Sequence, residues 1–259
     1  MRRTIQALAA VAAGALCLAA LAQGEVVQKG TLSVSVIGKL SPTTLPRSGT
    51  APIAVTLGGH ISSTDFNGPP QLQEIKIEIN RTGQLLRRGI PLCRMGHINP
   101  STTREALAAC GSSLIGEGRF SANVKLPEQS PFPSEGKVLA FNGRLRGQPA
   151  IFAHIYGTHP VPTSYVLPFL IRTAPKGTFG TILEASLPRV TGDWGYVTGV
   201  SMRLSRSFTF HGQKRSYLAA GCPAPKGFPG AVFRFMRTSF SFAGGTTLSA
   251  TLTRKCKVG

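Results

Sequence analysis

Acidic side chains are what this chain has least of for its length. Against 29 lysines and arginines in 259 residues stand two aspartates, Asp65 and Asp193, and eight glutamates. Glycoside hydrolysis needs two carboxylates flanking the scissile bond. The one near pair, Glu74/Glu78, interleaves with Ile75, Ile77 and Ile79 and reads as the wet face of a strand. Histidine is also sparse, at five, and no Cys-x-x-Cys occurs. The sequence signature of a zinc site is therefore missing. Enzyme motifs fail in the same way. Ser134-Glu135-Gly136-Lys137 matches Ser-x-x-Lys, but it lies beside a proline-rich stretch instead of on a helix presenting both groups on one face. Gly199-Val200-Ser201-Met202-Arg203 lacks the closing glycine of a nucleophile elbow. Gly116 and Gly118 sit in a strand pattern with no helix after it to receive phosphate. No catalytic residue, metal or cofactor is expected.

What is present begins with an export signal. Arg2 and Arg3 precede a nearly apolar run from Thr4 to Ala22, closed by the small-x-small pattern Ala20-Leu21-Ala22. The run falls short of the roughly 20 residues of a membrane span and no stop-transfer charge follows, so no transmembrane segment is expected once the signal is cleaved. Thr4-Ile5-Gln6 fits a twin-arginine signal poorly, which favours general secretion. Residues 1–22 are thus read as a signal peptide that takes Cys17 with it, and the mature protein as secreted or cell-envelope associated. Cys93, Cys110, Cys222 and Cys256 remain, and an even count in an exported chain implies two disulfides with three possible pairings. The simplest scheme joins Cys93 to Cys110 and Cys222 to Cys256. Each bond would remove on the order of 3–4 kcal/mol of unfolded-state freedom.

Strict two-residue alternation dominates the rest. Leu32, Val34 and Val36 alternate with serines. Phe120, Ala122, Val124 and Leu126 alternate with Arg119, Ser121, Asn123 and Lys125, and Val200/Met202/Leu204 and Leu248/Ala250/Leu252 follow suit. Such strands have one buried and one wet face, which antiparallel sheets tolerate and parallel sheets rarely show. Phe-x-Gly at Phe141-Asn142-Gly143, Phe210-His211-Gly212 and Phe242-Ala243-Gly244 predicts hairpin tips, or a bulge at Asn142-Gly143. One helix is predicted, capped by Thr102 with Glu105 completing a capping box, rich in alanine from Arg104 to Cys110 and stopped at Gly111. A helix of about nine residues does not persist alone in water, so the Cys93–Cys110 bond would tie it down. The fold class that results is an all-β, mainly antiparallel β-sandwich with one short helix. It would form one domain over 31–259, after an exposed segment at 23–30. The proline-rich stretch Pro127 to Ser134 is the best subdomain boundary.

Three places carry candidate chemistry. His154 and His159, in Ala153-His154-Ile155-Tyr156-Gly157-Thr158-His159-Pro160, would serve a secreted hydrolase if they converged. Two histidines without a nearby acid are better explained as surface residues of a turn. Asp193-Trp194-Gly195-Tyr196 could offer Trp194 and Tyr196 as a stacking platform, or Trp194 could simply plug an end of the fold. Cleavage after Ala22 removes two bases and no acid, leaving 27 − 10 = +17. That excess favours anionic partners such as a cell-envelope polymer. Arg203, Arg206, Lys214 and Arg215 would merge into one field with Arg254, Lys255 and Lys257 if their strands are neighbours. Arg87-Arg88 and Arg144/Arg146 read as scattered outward charges. No base-reading motif is present, so nucleic acid counts only as one generic polyanion. The expected function is a non-catalytic binding or structural module, with weak charge-driven attachment to a polyanion.

The phrases LPRSGTAPIAVTLGGHIS, SYVLPF, GTFGT, GDWGYVTG, SYLAAGCPAPKGFPGAVFRF and TLTRKCKV resemble a group of uncharacterised exported proteins of high-GC Gram-positive bacteria. The resemblance covers nearly all of the mature chain. It implies an exported β-rich fold with Cys222–Cys256 as the group's disulfide, and it carries over no activity and no site residue.

Overall fold

The computed structural model describes residues 24–125, 128–187 and 195–259. The chain runs through β1 (Glu25–Lys29), β2 (Leu32–Ser41), β3 (Thr44–Leu45), β4 (Ala51–Pro52), β5 (Ala54–Ser63), β6 (Leu72–Asn80) and β7 (Gly83–Leu85) into α1 (Thr103–Cys110). After it come β8 (Leu114–Val124), β9 (Phe132–Leu145), β10 (Gln148–Gly157), β11 (Thr163–Thr173), β12 (Phe179–Ser186) and β13 (Gly195–Leu204). The last are β14 (Ser207–Phe210), β15 (Gln213–Ser216), β16 (Leu218–Ala220), β17 (Gly230–Phe242) and β18 (Thr247–Val258).

Thirteen of the described strands join one sheet in the order β1-β2-β5-β13-β8-β9-β10-β11-β12-β6-β17-β18-β3. All its ladders are antiparallel except the short β18–β3 pair. The all-β, mainly antiparallel class with one short helix is therefore present. The ladders, however, form one large curled half-barrel that is not clearly divided into the two layers of a sandwich. Chain connectivity alone requires the curl. Eleven strand spacings separate β2 from β3 in the sheet, roughly 53 Å if it were flat. Only Pro42 and Thr43 lie between those two strands, a reach of about 11 Å. Where the ends meet, Gly38 leaves room for Leu252, whose Cδ2 would stand 3.0 Å from a Cβ at that position. The Arg254 guanidinium donates to the Gly38 carbonyl across the same seam.

Alternation places Val34, Val36, Val55, Leu183, Leu204, Phe240 and Leu252 on the concave face, where they form one buried core. The small sheet β4-β16-β7 lays Leu85, Leu218 and Ala220 on this core. An apolar cavity of about 50 Å³ remains among Leu40, Val55, Ile77, Leu183 and Met236. On the convex side, Leu139, Phe141, Phe152 and Val166 of β9–β11 pack with Ile98, Ala106 and the Cys93–Cys110 pair. The residues from Val138 to Gly143 are consequently buried on both faces of the strand.

The helix forms as its sequence requires. The Thr102 amide donates to Glu105 Oε2 (2.8 Å) and the Glu105 amide to Thr102 Oγ1 (3.3 Å), closing the capping box. These bonds hold the Glu105 carboxyl below the usual range. Gly111 does not end the helix in the left-handed region but continues at φ −58° into a 3-10 turn, Gly111–Ser113. Both expected disulfides are present, Cys93–Cys110 with Cα atoms 5.4 Å apart and Cys222–Cys256 with 5.7 Å. Residues 25–29 of the segment expected to be exposed form strand β1, mostly solvent-facing and paired with β2. Phe210-His211-Gly212 is a hairpin tip, with φ 51° at His211 and 73° at Gly212, and Phe242-Ala243-Gly244 leads through a turn into β18. Phe141-Asn142-Gly143 is neither tip nor bulge: it runs inside β9, where Gly143 leaves room for the Phe152 ring. No helix among the described residues is long and apolar enough to cross a membrane.

Candidate functional site: an arginine-lined cleft

Between β7 and Cys93 the chain has no ladder of its own, and three separate contacts fix it. The Leu86 amide donates to the Tyr217 carbonyl at 2.7 Å. The Ile90 amide donates to the Arg87 carbonyl at 3.3 Å, closing a turn in which Gly89 has φ +94°. Phe210 and Phe208 of the β14–β15 hairpin press on that glycine, and a Cβ there would stand 2.5 Å from the Phe210 ring and 3.0 Å from Phe208. Glycine is thus required both by conformation and by space. Fully buried Asn142 holds the far end, with Nδ2 donating to the Ile90 and Pro91 carbonyls at 3.2 Å each. The Cys93 amide donates to the Asn142 carbonyl at 2.9 Å, and the disulfide then ties Cys93 to α1.

This fixed segment walls an open cleft of about 550 Å³, into which Arg87, Arg88, Arg144 and Arg215 converge. Leu85, Leu86, Ile90 and Leu92 supply its apolar surface, and Leu92 is 53% exposed. No carboxylate lines it. The ion pairs among the described residues, Lys76–Glu184, Arg172–Glu184 and Arg237–Glu78, use none of the four arginines. Arg215 lies over the Phe210 ring, 5.4 Å from its centroid, and donates to Gln213 Oε1 at 3.2 Å. The Arg87 charge reaches the Tyr217 hydroxyl, which burial pushes up in pKa and which has no hydrogen-bond partner. Four guanidiniums without a counter-charge form a concave field suited to a multivalent oxyanion, because each can donate two parallel hydrogen bonds to it. A second groove of about 550 Å³ holds Arg104, Arg119 and Lys137, but Glu135 stands among them and offsets part of the charge.

Of the described residues expected to form a ligand surface, only Arg215 lines the cleft. Arg203 is exposed on β13, opposite in facing to buried Leu204, and Lys214 is exposed on β15 instead of at the turn. Arg206 is half-buried, with Nη2 3.5 Å from the Ser112 carbonyl. Arg254, Lys255 and Lys257 lie on β18, eight places from β13 in the sheet, so those charges do not merge through neighbouring strands. Tyr196 packs against Gly68 and its hydroxyl accepts from Asn123 Nδ2 at 3.0 Å. Trp194 and Asp193 lie outside the described residues. Arg87, Arg88 and Arg144 escaped the sequence reading as site residues. The local signal was an Arg-Arg-Gly turn between leucines and a disulfide cysteine.

The two histidines do not share a site. His159 is exposed in the β10–β11 turn, with Nδ1 3.0 Å from Thr158 Oγ1. His154 is fully buried on β10, which corrects its expected place on a surface turn. Alternation puts it on the convex face, and the segment leading into α1 covers that face. Nε2 lies 2.9 Å from the Ser101 carbonyl, so it carries the proton and donates, leaving Nδ1 buried without a partner. Burial pushes the His154 pKa below its ordinary value, against the opposing effect of that hydrogen bond. Ser101 Oγ lies 3.1 Å from Nε2 and donates to the Ile98 carbonyl at 3.0 Å; with the proton on Nε2 it can only accept from the imidazole, the reverse of a nucleophile giving its proton to a base. Among the described residues no three His, Cys, Asp or Glu side chains gather as metal ligands do. No known protein family, curated protein or solved structure matches the chain.

Proposed function

We propose that the chain is an exported, non-catalytic binding module that attaches to anionic polymers of the cell envelope through charge. The observation that supports this reading best is the convergence of Arg87, Arg88, Arg144 and Arg215 in one cleft that no acid lines. The two disulfides fit an oxidising compartment. The resemblance to exported proteins of high-GC Gram-positive bacteria points to the same location. The charge of 27 − 10 = +17 left after signal cleavage adds long-range attraction, and the cleft adds a place where it is concentrated.

Retention on immobilised polyphosphate or a teichoic-type polymer, followed across a salt series, tests the proposal. Four phosphate contacts would lower affinity about 10²-fold between roughly 50 and 200 mM salt. Replacing Arg87, Arg144 and Arg215 by glutamine should flatten that slope, while Arg203→Gln should change it little. No retention at low salt would leave the charge with no role beyond solubility, and equal slopes for both variants would move the attachment from the cleft to the basic surface as a whole.

A further inference from the structure

We infer that the cleft recognises an amphiphilic phosphate. The phosphate oxygens would meet Arg87, Arg88, Arg144 and Arg215, and the attached hydrocarbon would lie on Leu86, Ile90 and Leu92. The inference rests on the reading of the cleft as an anion site and narrows its ligand. A site for a purely charged polymer has no use for an apolar wall, yet this cleft keeps Leu92 about half exposed beside four guanidiniums. Its volume of about 550 Å³ falls within the range of small-molecule sites. The frame is fixed by the protein's own contacts: Asn142 holds Ile90 and Pro91, the disulfide holds Cys93, and Gly89 fits under Phe210. Little ordering entropy is then left for binding to overcome. A phosphate monoester carries close to two negative charges at neutral pH and matches the guanidinium count better than a single carboxylate does.

The test is calorimetric titration of the full mature protein with octyl phosphate below its micelle concentration, beside inorganic phosphate and octanoate. Each methylene that reaches the apolar wall should tighten binding about fourfold, so with roughly three or four of the eight carbons on the short wall, octyl phosphate should bind about 10²-fold more tightly than inorganic phosphate. It should also bind about tenfold more tightly than octanoate. Arg144→Gln with Arg215→Gln should weaken octyl phosphate about tenfold or more, with the melting temperature checked to confirm the fold. Leu92→Ser should shrink the chain-length advantage while leaving inorganic phosphate unchanged. Vesicles containing phosphatidic acid, set against phosphatidylcholine alone, separate the two sources. Binding to both octyl phosphate and the acidic vesicles would assign a membrane headgroup, and binding to octyl phosphate alone a free amphiphile.

Equal affinity for octyl and inorganic phosphate, or no effect of Leu92→Ser, would overturn the inference. So would vesicle binding without octyl phosphate binding, which is attraction of the whole basic surface. Retention on polyphosphate with no chain-length effect would reject this inference and keep the polymer reading. Octyl phosphate binding without polyphosphate retention would do the reverse.

Discussion

Asn142 offers the sharpest test of how the cleft is built. Its side chain is fully buried and bridges two carbonyls, Ile90 and Pro91, at 3.2 Å each. Both partners can only accept, so the amide NH2 must face them, and Oδ1 is left buried without a donor. Asn142→Ala removes both hydrogen bonds, each worth about 1 kcal/mol net, and leaves two carbonyls short of a donor at a further cost. The loss should total about 2–4 kcal/mol, which lowers Tm by roughly 4–16 °C in a domain of this length. Asn142→Asp keeps the shape but turns a carboxylate toward two carbonyl oxygens, so it should destabilise more than alanine does. Thermal and urea unfolding of the disulfide-intact protein measure both changes. The reasoning fails if Asn142→Ala loses less than about 0.5 kcal/mol, or if Asn142→Asp is the more stable variant. Anion binding should weaken alongside stability in the alanine variant, because the loop bearing Arg87 and Arg88 loses its anchor.

Two pH-dependent predictions accompany it. His154 has a folded pKa below its unfolded value, so the stability it contributes is complete above the unfolded value of about 6.5 and is lost as pH falls from there toward the lowered folded value. Unfolding free energy should therefore drop on acidification below about pH 6.5, by up to about 1.4 kcal/mol per pH unit. His154→Gln should remove that drop, and a variant that acidifies like the parent would assign it to other groups. Glu78, 8% exposed, accepts from Arg237 Nη2 at 2.8 Å, and this pairing holds its carboxyl below the usual range. Its contribution is present above the unfolded value near 4.5 and is lost as pH falls through the lower folded value. Arg237→Ala, which also uncovers the Phe179 ring, should cost about 1–3 kcal/mol at neutral pH. That cost should shrink in acid, and one that stays constant to pH 2 would show that the ion pair contributes nothing.

What the sequence revealed was local, and what it hid was long-range. The capping box and the helix staple depend on neighbouring residues, and each appears where its spacing puts it; the strands around Ile75/Ile77/Ile79 and Phe120/Ala122/Val124 form too, but Glu78, expected on a wet face, is buried against Arg237 of β17. The curl depends on β13 entering between β5 and β8 and on β6 pairing with β17, and no local period encodes such pairings. His154 was misplaced for a related reason. Alternation says which face a residue occupies, but not that the segment ahead of α1 will cover the outer face of β9–β11. A signal did exist: Val138-Leu139-Ala140-Phe141 and Ile151-Phe152-Ala153 are apolar on both faces, which marks a strand buried on both sides. The cleft was harder to read, since its arginines come from a turn after β7, the end of β9 and β15.

The choice of side chain at the cleft separates recognition from solubility. Solubility needs only net charge, and lysine supplies that as well as arginine. All four basic residues of this cleft are nonetheless arginine, although lysines occur elsewhere, as at Lys214 beside Arg215. Crowding cations into one concavity raises the free energy of each, and a lysine so placed can shed its proton. Arginine cannot at any ordinary pH, so the field persists. A guanidinium can also sit over an aromatic ring, as Arg215 does 5.4 Å from the Phe210 centroid, and still direct N–H groups toward an oxyanion. Repulsion among the four would open a flexible loop, and this one is clamped by Asn142, by the Cys93–Cys110 bond and by the fit of Gly89 beneath Phe210. A cluster that stays charged at any ordinary pH, has no carboxylate among its lining residues and is framed by these contacts suits an oxyanion that several guanidiniums can hold at once.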